Sequence, residues 1–176
     1  MISKKAFLVL PFVVVLTLAC SLFTRPAQST DVVVDSATDE SPVPDSFTLV
    51  TLHHSQGELS SLLAYHASQA AQLNRRPFAE FSAEWCPPCK AIANSLADPQ
   101  MVEAFHDTYI IRIDIDEWKS QIAKSDFNFL GVPTFFELNG DGQPSGRVIT
   151  GAAWGEDIPE NMAPPLKEFF QVPAQE

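Results

Sequence analysis

A chain of 176 residues with 45% apolar and 19% charged side chains is long enough for one globular domain with appendages, and excludes a wholly disordered chain or a polytopic membrane protein. Its 11 Lys and Arg against 22 Asp and Glu give a net charge of -11, which repels phosphate backbones, so nucleic acid is not an expected partner. Three cysteines are too few for a disulfide-stapled miniprotein or a closed four-cysteine zinc site.

At the N-terminus, Lys4 and Lys5 precede an apolar run from Ala6 to Ala19, interrupted only by Pro11 and Thr17. This is the anatomy of a secretory signal, and it is shorter than the roughly 20 residues that span a bilayer. Residues 1–19 are therefore expected to be a signal peptide. Thr17-Leu18-Ala19-Cys20 resembles the lipobox of bacterial lipoproteins, with Leu16 one place earlier than the usual leucine. The resemblance implies acylation of Cys20 as the first mature residue, and Ser21 implies retention at the outer membrane. Simple secretion or an uncleaved anchor is the alternative. Residues 20–46 are rich in Ser, Thr, Asp and Glu, with Pro42 and Pro44 as punctuation. They read as a disordered acidic tether, holding the following domain roughly 25 to 30 Å from its anchor.

From Phe47 the pattern becomes regular, and residues 47–176 are expected to form the folded domain. Phe47 to Leu52 reads as a strand, while Leu59, Leu62, Leu63, His66, Ala70 and Leu73 recur on one helical face. Arg75-Arg76-Pro77 ends that helix. Phe78 to Ser82 is a short strand running into Trp85-Cys86-Pro87-Pro88-Cys89-Lys90, and Ala91 to Phe105 reads as one helix. Tyr109 to Ile115 is a third strand, followed by a helix from about Trp118 to Phe127, a strand from Phe135 to Leu138 and a strand from Arg147 to Thr150. Asn139-Gly140-Asp141-Gly142 between the last two is a hairpin signal. Pro159, Pro164 and Pro165 are expected to interrupt the C-terminus, leaving one short helix from Pro164 to Phe170. The order β-α-β-α-β-α-β-β-α predicts an α/β fold with a central mixed sheet and helices on both faces.

The chemistry concentrates in Cys86-Pro87-Pro88-Cys89. Two thiols so spaced at the start of a helix can close into a disulfide, and the helix N-terminus stabilises the first sulfur as thiolate. Cys86 is expected to face solvent and attack a substrate disulfide, and Cys89 to resolve the mixed disulfide from one turn deeper. Pro87 and Pro88 supply no N–H, which leaves the Cys89 amide among the remaining donors to the thiolate. The competing readings are half a zinc site or an inert bridge. There is no second cysteine pair, and the four histidines show no ligand spacing, so no metal is expected.

Residues 47 to 172 resemble a thioredoxin-fold domain. Phe81-Ser82-Ala83-Glu84-Trp85-Cys86-Pro87-Pro88-Cys89-Lys90 is similar to that family's active-site stretch, and Gly131-Val132-Pro133-Thr134 to its cis-proline loop. Asp98-Pro99-Gln100, Leu130 to Thr134, Gly140 to Gln143 and Arg147 to Gly151 more closely resemble the periplasmic thioredoxin-like domain of DsbD-type thiol reductases. That domain's second acid, four residues after the resolving cysteine, is here Ala93.

The resemblance implies roles. Glu80 stands six residues before Cys86, where thioredoxins carry a buried acid that shuttles the resolving thiol's proton. Phe78, Glu80 and Ser82 share a strand face, so burial and a neutral carboxyl are expected; a surface glutamate is the alternative. Trp85 would cover the site or be a plain core aromatic. Pro133 would be cis and set the Val132 backbone opposite Cys86, to pair with an extended substrate. Lys90 helps hold a thiolate or is simply solvated. His53, His54, His66 and His106 are expected at the surface or core edge, with no role, the adjacent pair pointing to opposite faces.

The functional expectation is an extracytoplasmic thiol:disulfide oxidoreductase that reduces protein disulfides, on the periplasmic side of a bacterial membrane or secreted. Its partners would be disulfide clients and a thiol electron donor. It would be a monomer whose only redox group is the Cys86–Cys89 disulfide, without a cofactor. The alternatives are an oxidase or isomerase of the same fold, or a module that binds a metal or client without turnover.

Overall fold

The computed structural model describes residues 46–172. The expected signal peptide, Cys20 and almost all of the tether lie outside them. Five strands, β1 (Thr48–Leu52), β2 (Arg76–Ser82), β3 (Thr108–Asp114), β4 (Thr134–Leu138) and β5 (Pro144–Thr150), form one sheet in the order β1-β3-β2-β4-β5. β1 and β2 run parallel to β3 on either side of it, whereas β4 is antiparallel to β2 and β5 to β4. The parallel half follows from helical crossovers and the antiparallel half from the hairpin. This mixed sheet with helices on both faces is the expected thioredoxin fold.

Strand alternation divides the core. Phe78, Ile110 and Phe135 project to one face, where they meet Ile92 of α2 (Pro87–Asn94), Met101 of α3 (Pro99–Ala104) and Leu166 of α5 (Pro159–Gln171). Ala79, Phe81, Ile111, Ile113 and Phe136 project to the other. There they meet Leu59 and Leu63 of α1 (Leu59–Gln72), and Trp118 at the head of the short α4 (Lys119–Ile122). A buried side chain of this size contributes about 1.5 to 3 kcal/mol.

Three helices differ from their sequence reading. The stretch Ala91 to Phe105 is two helices, because Asp98 accepts a hydrogen bond from the Gln100 N–H at 2.8 Å and Pro99 occupies the first turn. An N-cap followed by proline starts a helix rather than continuing one. The expected helix from Trp118 to Phe127 shrinks to α4, since Phe127 leaves the helical path to pack on Phe81 at 5.0 Å.

The C-terminal segment is the largest correction. α5 runs unbroken from Pro159 through Pro164 and Pro165 to Gln171. Each interior proline costs about 3 kcal/mol, but Met162, Ala163, Leu166, Phe169 and Phe170 are all buried along one face, a larger sum. Pro164 is exposed, so the carbonyl it leaves unbonded meets water.

Candidate active site

β2 carries the chain from the centre of the sheet to the front of α2, and the turn between them is closed by the Cys86 N–H donating to the Ala83 carbonyl at 3.2 Å. Cys86 is the N-cap of α2. Because Pro87 and Pro88 have no N–H, the first free amide of the helix is that of Cys89, and it donates to Cys86 Sγ at 3.2 Å. The positive end of α2 and this amide together favour negative charge on Cys86. Cys86 and Cys89 are joined as a disulfide, with Cα atoms 5.3 Å apart.

The expected solvent exposure of Cys86 is not found in this oxidised state. Cys86 is 1% exposed and Cys89 3%, since Ala83, Ile115 and Val132 close over the bridge. The Val132 carbonyl lies 3.6 Å from Cys86 Sγ. With the bridge closed this sulfur carries no hydrogen, so the approach is a packing contact. The Val132–Pro133 peptide is cis.

The cis-proline loop is fixed from three directions. The Gly151 N–H donates to the Pro133 carbonyl at 3.0 Å, and the Thr134 hydroxyl donates to the Gly131 carbonyl at 2.6 Å. Upstream, Phe127 and Phe129 stack on Phe81 at 5.0 and 4.6 Å, tying the loop to the strand that carries the cysteines. Among the described residues, neither backbone group of Val132 has a backbone hydrogen-bond partner. Beside it runs an apolar groove of about 760 Å³ walled by Pro88, Leu130, Val132, Pro133 and Val148.

Glu80 is fully buried, on the face that strand alternation places it, but it is not a lone acid. Register sets Glu80 opposite Arg112 on β3. The guanidinium Nε donates to one carboxylate oxygen at 2.9 Å and Nη2 to the other at 3.3 Å. The two contacts form a forked pairing of guanidinium and carboxyl between β2 and β3. Arg112 escaped the sequence reading, although a single arginine inside Tyr109-Ile110-Ile111-Arg112-Ile113 must find a charge partner if the strand is buried.

Trp85 is 62% exposed and thus not a core residue. Its indole N–H donates to Asp116 at 2.7 Å, which holds the ring at the edge of a cleft on the Cys89 side. His53 and His54 also differ from expectation. The strand ends at Leu52, so alternation no longer separates them, and both approach Glu117, at 3.4 and 2.8 Å. The hydrogen bond from the His54 side chain, then that from its backbone, holds the Glu117 carboxyl below its ordinary range. His66 sits at the core edge, 2.9 Å from the Tyr109 hydroxyl, and burial lowers its pKa. Lys90 is exposed at the first turn of α2.

A family model described as Thioredoxin matches residues 64–163. The thiol:disulfide interchange protein TxlA of Synechococcus elongatus is 38% identical over 108 residues, covering 57% of this chain and 56% of its own length. Thioredoxin H2 of Arabidopsis thaliana is 33% identical over 70 residues, 40% of this chain and 50% of that protein. The chain thus spans only about half the length of these relatives. Among solved structures, a poplar thioredoxin h superposes with a TM-score of 0.42 at 29% identity, over 61% of this chain and 85% of the other.

Proposed function

Since the chain belongs to the thioredoxin family, we propose that it is a thiol:disulfide oxidoreductase that reduces protein disulfides through Cys86 and Cys89. One observation carries the reading: a closed Cys86–Cys89 bridge at a helix N-terminus, directly against a cis-proline loop in which Val132 has no backbone hydrogen-bond partner among the described residues. In the reduced protein the Cys86 thiolate attacks one sulfur of a client disulfide, and the client's other sulfur leaves. Cys89 then attacks the Cys86 sulfur of the mixed disulfide, releasing the client as a dithiol and restoring the bridge. An extended client segment pairs with Val132 as an added strand.

The Cys89 thiol must lose its proton in the resolving step, and Glu80 is the acceptor in this proposal. Arg112 fixes the orientation of its carboxyl group, and a carboxylate oxygen has the lone pair that accepts a proton.

The rest of the proposal concerns place and partners. The N-terminal sequence supports export and anchoring through a lipid on Cys20, and the likeness to the DsbD-type domain supports the reducing direction. A monomer serving disulfide clients from a membrane tether fits these features. The test is insulin reduction driven by dithiothreitol, with wild type accelerating precipitation of the B chain and the Cys86→Ser variant falling to background. Wild type no faster than dithiothreitol alone would leave a client-binding module in its place.

A further inference from the structure

The groove beside the cis-proline loop carries charge at one place in its wall. Leu130 is fully exposed and Val148 about half exposed, and both line it with Pro88, Val132 and Pro133. Large apolar side chains left open to water in one patch mark a surface that a partner covers. Among the described residues, the one titratable side chain in this wall is Asp157, which reaches it from the segment between β5 and α5.

Asp157 is oriented but not neutralised. One carboxylate oxygen accepts the indole N–H of the buried Trp154 at 3.0 Å, which fixes the group without supplying charge. The other oxygen has no partner among the described residues, and no Lys, Arg or His of these residues pairs with the carboxylate. Lys90 and Arg112 line the cleft on the Cys89 side and not this groove. A partner that covers the groove removes water from Asp157, and a carboxylate so covered needs a cation. Lys or Arg supplies one and lays an apolar stem along the wall, whereas Asp or Glu in that place would bring two anions together. The net charge of -11 steers cationic segments in the same sense.

We propose that protein clients are selected by charge as well as by shape. The client strand that pairs with Val132 carries apolar side chains for Leu130 and Val148 and, within a few residues of its reacting cysteine, a Lys or Arg for Asp157. The inference rests on the disulfide exchange proposed above and names the client class for it. Successive side chains of an extended strand point to opposite sides, so alternate client residues face the groove, and a single cation among them meets its single anion. Asp157 is a specificity-determining residue and takes no part in the thiol chemistry, in which Cys86 attacks the client sulfur and Cys89 resolves the product.

The experiment uses the reduced full chain and synthetic peptides in which one cysteine is joined by a disulfide to thionitrobenzoate. Each set of three peptides differs only in Lys, Gln or Glu at one position, and the sets move that position along both sides of the cysteine. Attack by Cys86 on the peptide sulfur releases thionitrobenzoate, whose absorbance gives a second-order rate constant. At the best position Lys is expected to outpace Gln by about threefold and Glu by about tenfold at low salt, with both ratios falling toward unity at high salt. Asp157→Asn, which keeps the acceptor for Trp154, should abolish the Lys advantage, and Asp157→Lys should reverse it. Glu168→Gln removes a charge from an exposed position of α5 and should keep the wild-type ratios. Because each ratio is taken within one protein, a less stable variant is still read, and the salt dependence needs no variant. Equal rates at every position, a preference for Glu, ratios unchanged by salt, or a Lys advantage that survives Asp157→Asn overturns the proposal. No release from any peptide removes the exchange reaction itself, and this inference with it.

Discussion

Glu80 shows how one side chain's meaning depends on its partner. Its position six residues before Cys86 and its place in the strand alternation indicate burial, and it is buried. Its partner is Arg112, 32 residues away in sequence, and no local pattern reveals that cross-strand pairing. Glu80→Gln keeps the shape and leaves an amide oxygen for Arg112, but removes the proton acceptor. Single-turnover kinetics should show slow resolution of the mixed disulfide with attack by Cys86 little changed; equal resolution rates from pH 6 to 9 would remove Glu80 from the mechanism. Cys89→Ser should accumulate Cys86-linked mixed disulfides with clients, seen as adducts on non-reducing gels that dithiothreitol dissolves. The cysteine pair and Pro133 were legible because their spacing is local. The closure of Val132 over Cys86, and the shared grip of His53 and His54 on Glu117, were not, since they join residues from distant loops.

At the scale of elements, β1, β3 and β4 were read to within one residue of their ends because each is a short apolar run between turn residues, whereas β2 and β5 begin two and three residues earlier than read, at Arg76 and Pro144, where the sequence is not apolar. Helices were misread where packing overrides propensity. α5 makes this measurable. Pro164 has no N–H for the Glu160 carbonyl, so Pro164→Ala restores a helical hydrogen bond and relieves the ring's clash, at the cost of a more flexible unfolded chain. Urea denaturation should show a gain of about 1 to 2 kcal/mol; a loss would mean the proline ring is needed for packing. The β4–β5 hairpin carries the opposite lesson. Asn139 accepts from the amides of Asp141 and Gln143, both at 3.0 Å, and Gly142 has φ +75° with any added Cβ falling on the backbone of Leu63 and Ala64 in α1. The glycine is thus read from the sequence as a turn residue, but its contact with α1 is visible only in three dimensions. Gly142→Ala should cost about 1 to 3 kcal/mol in the same assay, and a neutral result would show that the hairpin tip moves freely away from the helix.

Across the whole molecule, a charge network on the far side of the sheet from its first strand ties strands and C-terminal helix together. Glu137 on β4 pairs with Arg76 of β2 and, at 2.7 Å, with Arg147 of β5. The same two arginines donate to the carbonyls of Phe170 and Phe169 at the end of α5, where cations also suit the helix dipole. Burial works to raise the Glu137 pKa, but the hydrogen bonds and charges of both arginines hold it below its ordinary 4.5. A depressed carboxylate contributes stability that is complete above the unfolded value and lost as pH falls through the folded one. Unfolding free energy should therefore decline below pH 4.5, and Glu137→Gln should flatten that decline while lowering stability at neutral pH. An acid profile unchanged by the substitution would assign the decline to other carboxylates. Beyond the described residues, lipid on Cys20 should appear as partition into detergent and the added mass of acyl chains; a mature mass matching an unmodified chain would place the protein free of the membrane. The most direct measurement of the central claim is turnover of insulin by the full chain with dithiothreitol, comparing wild type, Cys86→Ser and Cys89→Ser. Rapid B-chain precipitation by wild type, background rates for Cys86→Ser and a trapped insulin adduct for Cys89→Ser are predicted. Full activity of Cys86→Ser, or an adduct carried by Cys86→Ser rather than Cys89→Ser, would contradict the assignment of Cys86 as the attacking thiol.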